Sequence, residues 1–166
     1  MVGDKLCAIG FPNTANLFMG LFSFLKKDKQ PAAASNSVYE AIGGEPTVKA
    51  IANTFYDIME TDPMASELLA IHPQPLNRIR HVFFLYLQMW MGGPNDFEKQ
   101  FGHPRLRARH LPFTVTPSLK AQWMYCMRKS MMTHVSDLTL ANRLLEALDS
   151  LAEHMINQPD DAKKAP

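Results

Sequence analysis

The sequence predicts an all-α protein, and three features carry that reading. Apolar residues recur three or four positions apart between Val48 and Met155. No run alternates convincingly with period two, so no strand pattern competes. Glycines and prolines then cut the chain into pieces of helical length. A chain of this kind builds its core only by packing helix on helix. With 166 residues and 46% hydrophobic content, it is long enough for one domain with a real core. A net charge of +1, with acids and bases intermixed, gives no global pull toward nucleic acid or a polyanionic surface. Cys7 and Cys126 are too few and too far apart for a disulfide framework or a zinc site. No apolar run reaches the roughly eighteen residues of a membrane-spanning helix.

Residues 1–37 read as an extension outside the core. Asn16 to Phe24 is mostly apolar, Lys26-Lys27-Asp28-Lys29 follows, and a Pro/Ala/Ser/Asn stretch runs to Ser37. The lysines come after the apolar part, the reverse of a signal peptide, so secretion is a poor reading and the cytoplasm is the expected compartment. A disordered tail and a true start at Met19 are both favoured over an amphipathic helix of residues 16–27 resting on a membrane. The core domain is expected over 38–158, with a frayed, charged tail at 159–166.

From Val38 the elements follow in order. Tyr39-Glu40-Ala41-Ile42 forms a short helix that Gly43-Gly44 ends. Pro46 suits a first helical position, and Val48, Ile51, Phe55 and Met59 then mark one helical face. Thr61-Asp62-Pro63 breaks it, Met64 to Ile71 is a second short helix, and His72-Pro73-Gln74-Pro75 is a corner. Leu76, Ile79, Phe83, Leu87 and Trp90 predict a long amphipathic helix stopped by Gly92-Gly93-Pro94. Asn95 to Phe101 reads as a connection. Prolines at 104 and 112 leave room for at most about two turns between them. Thr116-Pro117 starts another helix, running to about His134, and Leu140, Leu144, Leu148, Leu151 and Met155 mark the last.

The chemistry-bearing stretch is Gly102-His103-Pro104-Arg105-Leu106-Arg107-Ala108-Arg109-His110-Leu111-Pro112-Phe113. A histidine on a short, stiff, arginine-flanked segment suits metal coordination beside an anionic cofactor, although part of the run reads equally well as solvated charge. Six histidines are present (72, 81, 103, 110, 134 and 154), and a surface or hydrogen-bonded structural role is the default for each. None forms a His-x-x-x-His or His-x-x-Glu pair, so a zinc or di-iron bundle site is not expected. Tyr56 and Trp123 lie on different helices and carry donors that need partners when buried. They either converge on a polar ligand or are core aromatics reaching backbone or water. Ile79 and Phe83, one turn apart, offer apolar walls or simply core.

These residues together resemble the truncated haemoglobins, specifically their second group. The resemblance runs from Tyr39 to about Asn157. It is carried by Tyr-Glu-Ala-Ile-Gly-Gly (39–44), Phe55-Tyr56, Trp90-Met91-Gly92-Gly93-Pro94, the arginine-histidine run of 102–113, Ala121 to Met127, and Ala152-Glu153-His154-Met155. It implies a two-over-two helical sandwich around non-covalent haem b and its iron. The absence of Cys-x-x-Cys-His excludes covalent attachment through that motif. By the same resemblance His110 is the proximal iron ligand through Nε2, and Arg109 and Arg107 face the haem propionates. Tyr56 and Trp123 are the distal tyrosine and tryptophan. His72 stands where relatives commonly carry tyrosine or another aromatic or polar residue. Ile79 replaces the distal histidine of ordinary globins. Phe83, Phe113 and Met127 complete the expected pocket.

The function expected from the resemblance is binding of dioxygen, and also carbon monoxide, nitric oxide or peroxide, at a pentacoordinate iron. Tyr56, Trp123 and His72 would form a three-donor cage that slows oxygen release. Slow release suits redox chemistry in oxidative or nitrosative stress, or ligand trapping, better than oxygen transport. A haem-dependent enzyme, reducing peroxide or converting nitric oxide to nitrate with an unidentified reductase, is the alternative. A haem-free helical interaction module is the third reading. Whether Tyr56 or His72 itself becomes a sixth ligand stays open.

Overall fold

A computed structural model of the chain describes residues 37–160. The expectations for residues 1–36, including a start at Met19 and a membrane-resting helix, and those for 161–166 lie outside the described residues. The helices are α1 (Val38–Ala41), α2 (Gly44–Thr61), α3 (Ser66–Ala70), α4 (Asn77–Trp90), α5 (Asp96–Phe101), α6 (Leu106–His110), α7 (Pro117–His134) and α8 (Leu138–Glu153). A single 3₁₀ turn, Pro63–Ala65, joins α2 to α3, and no strand occurs among the described residues.

Local chemistry sets most of these boundaries. Gly43 has φ +106°, and a Cβ there would stand 2.5 Å from Thr47 Oγ1, so only glycine makes the turn between α1 and α2. At the end of α4 a Cβ on Gly93 would come within 2.7 Å of the Tyr39 ring, which lets α1 lie close against that turn. Thr116 Oγ1 accepts from the Leu119 N–H and Pro117 fills the first position of α7. Asp137 Oδ1 accepts from the Thr139 and Leu140 N–H groups and starts α8 in the same way.

Asn95–Phe101 is not the plain connection expected from the sequence. Residues 96–101 are helical because Asn95 Oδ1 accepts from the Glu98 N–H while Asn95 Nδ2 donates to the Glu98 carboxylate at 2.7 Å. Two reciprocal bonds stabilise a helix too short to hold itself. Near the end of the described residues the Asp160 carboxylate accepts from the Ser118 N–H at 2.9 Å.

Helix α2 packs on α4 and on α7, and α7 packs on α8. The result is one antiparallel-style pair, α2 with α4, laid over a second, α7 with α8, which is the two-over-two truncated globin arrangement. Val48, Ile51, Phe55 and Met59 are all buried on the expected face of α2. Each such side chain contributes about 1.5–3 kcal/mol on burial. Where α2 meets α7, the buried Ser130 hydroxyl donates to the Ile51 carbonyl at 2.6 Å, so no polar group is stranded there.

Helix α4 departs from the single stripe read in its sequence. Leu87 and Trp90 are buried, but so are Phe84, Leu85, Tyr86 and Gln88 on its other side. Ile79 and Phe83 are only half-buried. Those two residues therefore leave part of their apolar surface uncovered by the rest of the protein.

At the end of α2, Asp62 accepts from the Tyr125 hydroxyl at 2.6 Å and from Lys129 Nζ at 3.0 Å. These bonds, with the Met64 N–H, hold its carboxyl down at about 2, below the usual 3.8. The interaction therefore stabilises the fold above pH 3.8 and is lost as the pH falls through about 2. Asp62→Asn should lower stability near neutral pH yet leave the wild-type and variant unfolding curves converging near pH 2, as read by circular dichroism against denaturant.

Candidate functional site

Helix α6 is five residues long and buries none of them. It is held by polar bonds instead. Arg109 Nε donates to the Pro104 carbonyl at 2.7 Å and Arg109 Nη2 to the Phe101 carbonyl at 2.9 Å. Arg107 Nη1 donates to the His154 carbonyl. At the entrance Arg105 takes the left-handed conformation with φ +42°, a strain of about 1–2 kcal/mol for a residue with a Cβ. The arginine run is thus largely a device for folding its own segment, and each guanidinium keeps further N–H groups beyond these bonds.

His110, in the last turn, has its Nδ1 2.7 Å from the Leu106 carbonyl. A carbonyl only accepts, so Nδ1 carries the proton and Nε2 presents a lone pair. Nothing among the described residues bonds that Nε2. This is the tautomer a metal ligand needs, with the ring's rotation fixed by the second nitrogen.

A second imidazole is built the same way. His72, at the corner after α3, has Nδ1 2.7 Å from the Leu68 carbonyl. Burial holds its pKa below the usual 6.5; the bond to Leu68 opposes that shift, and His110 lies close enough to lower it further. Near neutral pH His72 is therefore neutral, and its free Nε2 accepts rather than donates. With Nδ1 held by Leu68, His72 donates through Nε2 only when protonated.

Ring contacts bring Tyr56, His72, Phe83 and Trp123 together, while Ile79 stands half-buried one turn before Phe83 on the same helix. The Tyr56 ring meets His72 edge-on at 6.0 Å and Phe83 at 5.8 Å, and Phe83 meets Trp123 at 6.2 Å. Phe55, read in the sequence as part of the core face of α2, joins them, with its ring 4.9 Å from Phe83 and 5.5 Å from Trp123. Tyr56 is 3% exposed, yet neither its hydroxyl nor the Trp123 indole N–H makes a hydrogen bond among the described residues. Burial pushes the Tyr56 phenol well above its ordinary value of 10, partly offset by Arg80, so it stays a protonated donor. Arg80 itself lies 5.6 Å over the Tyr56 ring and bonds the Asn53 carbonyl, Asp57 and Glu60. Met127 is fully buried one turn beyond Trp123, whereas Phe113 is 45% exposed on the loop after α6.

This set of residues fits haem. The Tyr56 hydroxyl and the Trp123 indole N–H, without hydrogen-bond partners among the described residues, are donors open to a polar ligand. Half-buried Ile79, Phe83 and Trp123 offer the apolar faces that a flat macrocycle covers. No three His, Cys, Asp or Glu side chains among the described residues converge on a point. A lone imidazole therefore needs an iron whose other ligands come with the cofactor.

Fold and site together define a helical protein whose unpaired imidazole and aromatic, donor-bearing residues suit an iron macrocycle. Residues 37–157 match the model of the bacterial-like globin family. The chain is 36% identical over 126 residues to the group 2 truncated hemoglobin YjbI of Bacillus subtilis (strain 168), covering 75% of this chain and 92% of that protein. The cold-adapted truncated hemoglobin of the Antarctic marine bacterium Pseudoalteromonas haloplanktis TAC125 is 51% identical, with a TM-score of 0.72 over 74% of this chain and 98% of that one. The truncated oxygen-avid haemoglobin of Bacillus subtilis is 34% identical, with a TM-score of 0.67 over 74% of this chain and 100% of that one. The chain belongs to the bacterial-like globins, within the second group of truncated haemoglobins, and haem is the cofactor of that family.

Sequence reasoning did not find the Leu68 and Leu106 carbonyls or Arg80, and it placed Phe55 on the core face of α2 rather than in the pocket. The two carbonyls had a weak signal, because a histidine at or just past a helix end can reach back with its ring to the carbonyl four residues before it. The neutral state of His72 is directly testable. Its imidazole should titrate below 6.5 by ¹⁵N NMR of the haem-free protein, with Nδ1 protonated on the high-pH side. A midpoint above 6.5 would contradict the buried, carbonyl-tethered geometry.

Proposed function

We propose that this globin binds dioxygen and other small diatomic ligands at haem iron held by His110, and that its distal pocket slows their release. Bound haem supplies reversible coordination of a diatomic ligand; the chain supplies everything that biases it. The observation that carries the reading is the free Nε2 of His110, fixed by the Leu106 bond and within electrostatic reach of His72. The remaining N–H groups of Arg107 and Arg109 are available to the haem carboxylates. His110 would hold the iron, and the bound haem would supply a position for a diatomic ligand.

Tyr56 and Trp123 donate to a polar ligand in that pocket, and Ile79, Phe83 and Phe55 exclude water around it. Each donor in a dry pocket is worth about 1–3 kcal/mol, so two of them slow release by one to several orders of magnitude. The oxygen-avid Bacillus relative accords with this direction. Such retention favours trapping or sensing of a ligand over its delivery. His72 adds a pH dependence. At neutral pH its Nε2 is an acceptor, and protonation below its lowered pKa turns it into a further donor.

Tyr56→Phe and Trp123→Phe should each speed dioxygen dissociation by at least about tenfold in stopped-flow measurements. Rates unchanged in both variants would remove the donor pocket from the account. His110→Ala should abolish stoichiometric haem uptake and the Soret shift under carbon monoxide; normal uptake and shift would overturn the assignment of His110.

A further inference from the structure

The segment that presents His110 has almost nothing apolar to anchor it. No residue of α6 is buried, Leu111 is 60% exposed and Phe113 45% exposed. Pro104 and Pro112 stiffen the chain but bind it to nothing. Half-buried Leu106 and the Arg109 bond to the Phe101 carbonyl hold its start, and the chain just beyond α8 holds its end.

Asn157 makes four bonds to that segment. Its Nδ2 donates to the Phe113 carbonyl at 2.9 Å and to the His110 carbonyl at 3.3 Å. Its Oδ1 accepts from the Val115 N–H at 3.0 Å, and its own N–H donates to the Val115 carbonyl at 3.0 Å. Gln158 N–H reaches the same Val115 carbonyl at 3.2 Å, and Arg107 grips the His154 carbonyl from the other side. One amide side chain thus satisfies the carbonyl of the histidine itself together with both edges of the loop after it. Asn157 is suited to this as few residues are, since a single planar group offers donors and an acceptor at once.

We propose that Asn157 is a positioning residue for the iron ligand: by bonding the His110 carbonyl and residues 113–115 it ties the proximal helix to the end of α8 and sets where the imidazole stands. The inference rests on His110 being that ligand. Removing the tie leaves the Nδ1 bond to Leu106 intact but frees the whole helix to shift or tilt, so the iron–imidazole bond weakens while the ring's tautomer is unchanged.

The test uses the full-length haem complex of two variants. Asn157→Asp keeps the acceptor for Val115 but loses both donations, and Asn157→Ala loses every side-chain bond. In the ferrous, ligand-free proteins the resonance Raman iron–imidazole stretching band should move or broaden. Transfer of haem to an apomyoglobin trap should accelerate roughly tenfold in Asn157→Asp and more in Asn157→Ala. A band and a transfer rate equal to wild type in Asn157→Asp would overturn the proposal. Lower thermal stability with an unmoved band would equally overturn it, because Asn157 would then serve only the fold. If neither variant yields folded protein, the wild type decides. In the haem-free protein the Val115 and Asn157 amides should resist hydrogen exchange as well as those of α8, and rapid exchange there would refute the tie. His110→Ala, measured alongside, separates the two ideas. Loss of the band in that variant with no change in Asn157→Asp leaves His110 as ligand and removes only the role of Asn157.

Discussion

An imidazole has two nitrogens, and only one can hold a metal. In this protein the choice is made by a 2.7 Å bond from His110 Nδ1–H to the Leu106 carbonyl. That bond adds a second donor to the carbonyl of the first residue of α6. It fixes the tautomer, stops rotation of the ring, and turns Nε2 away from its own helix. Every other feature of the site presupposes it. Without a committed Nε2, the α6 side of the site would offer no atom suited to a metal.

The same bond recurs at His72 with Leu68 and at His154 with Ser150. It is thus a general habit of histidines at helix ends, and surroundings decide its meaning. His154 is exposed and its tether has no functional neighbour. His72 is buried beside Tyr56, so its tether makes an acceptor inside a pocket otherwise lined by donors. His110 lies on a segment with no buried residue, so its surroundings are supplied by chain far away in sequence. Polar bonds do there what apolar packing does elsewhere in the fold.

The helices were legible because their signals are local. The Val48–Ile51–Phe55–Met59 stripe, the Thr116-Pro117 start and the Gly43-Gly44 stop each depend on neighbours within a turn. The residues gathered at the site were legible mainly through family resemblance, since nothing in spacing alone brings Tyr56 to His72 or to Phe83. Three things were hidden. The helix at 96–101 rests on a side-chain exchange between Asn95 and Glu98. The proton on His72 is set by a carbonyl and by burial, neither of which residue type reveals. The role of Asn157 depends on a partner 42 to 47 positions away. Long-range polar bonds have no periodicity, so a sequence read by pattern passes over them.

The central claim is that iron sits on the nitrogen that the Leu106 bond leaves free. A crystal structure of the haem complex measures this most directly. The account requires iron on His110 Nε2, Nδ1 still bonded to the Leu106 carbonyl, and the Tyr56 hydroxyl and Trp123 indole N–H on the opposite face of the macrocycle. Iron carried by any other residue on the α6 side, or a His110 ring turned so that Nδ1 coordinates and the carbonyl bond is broken, would contradict it.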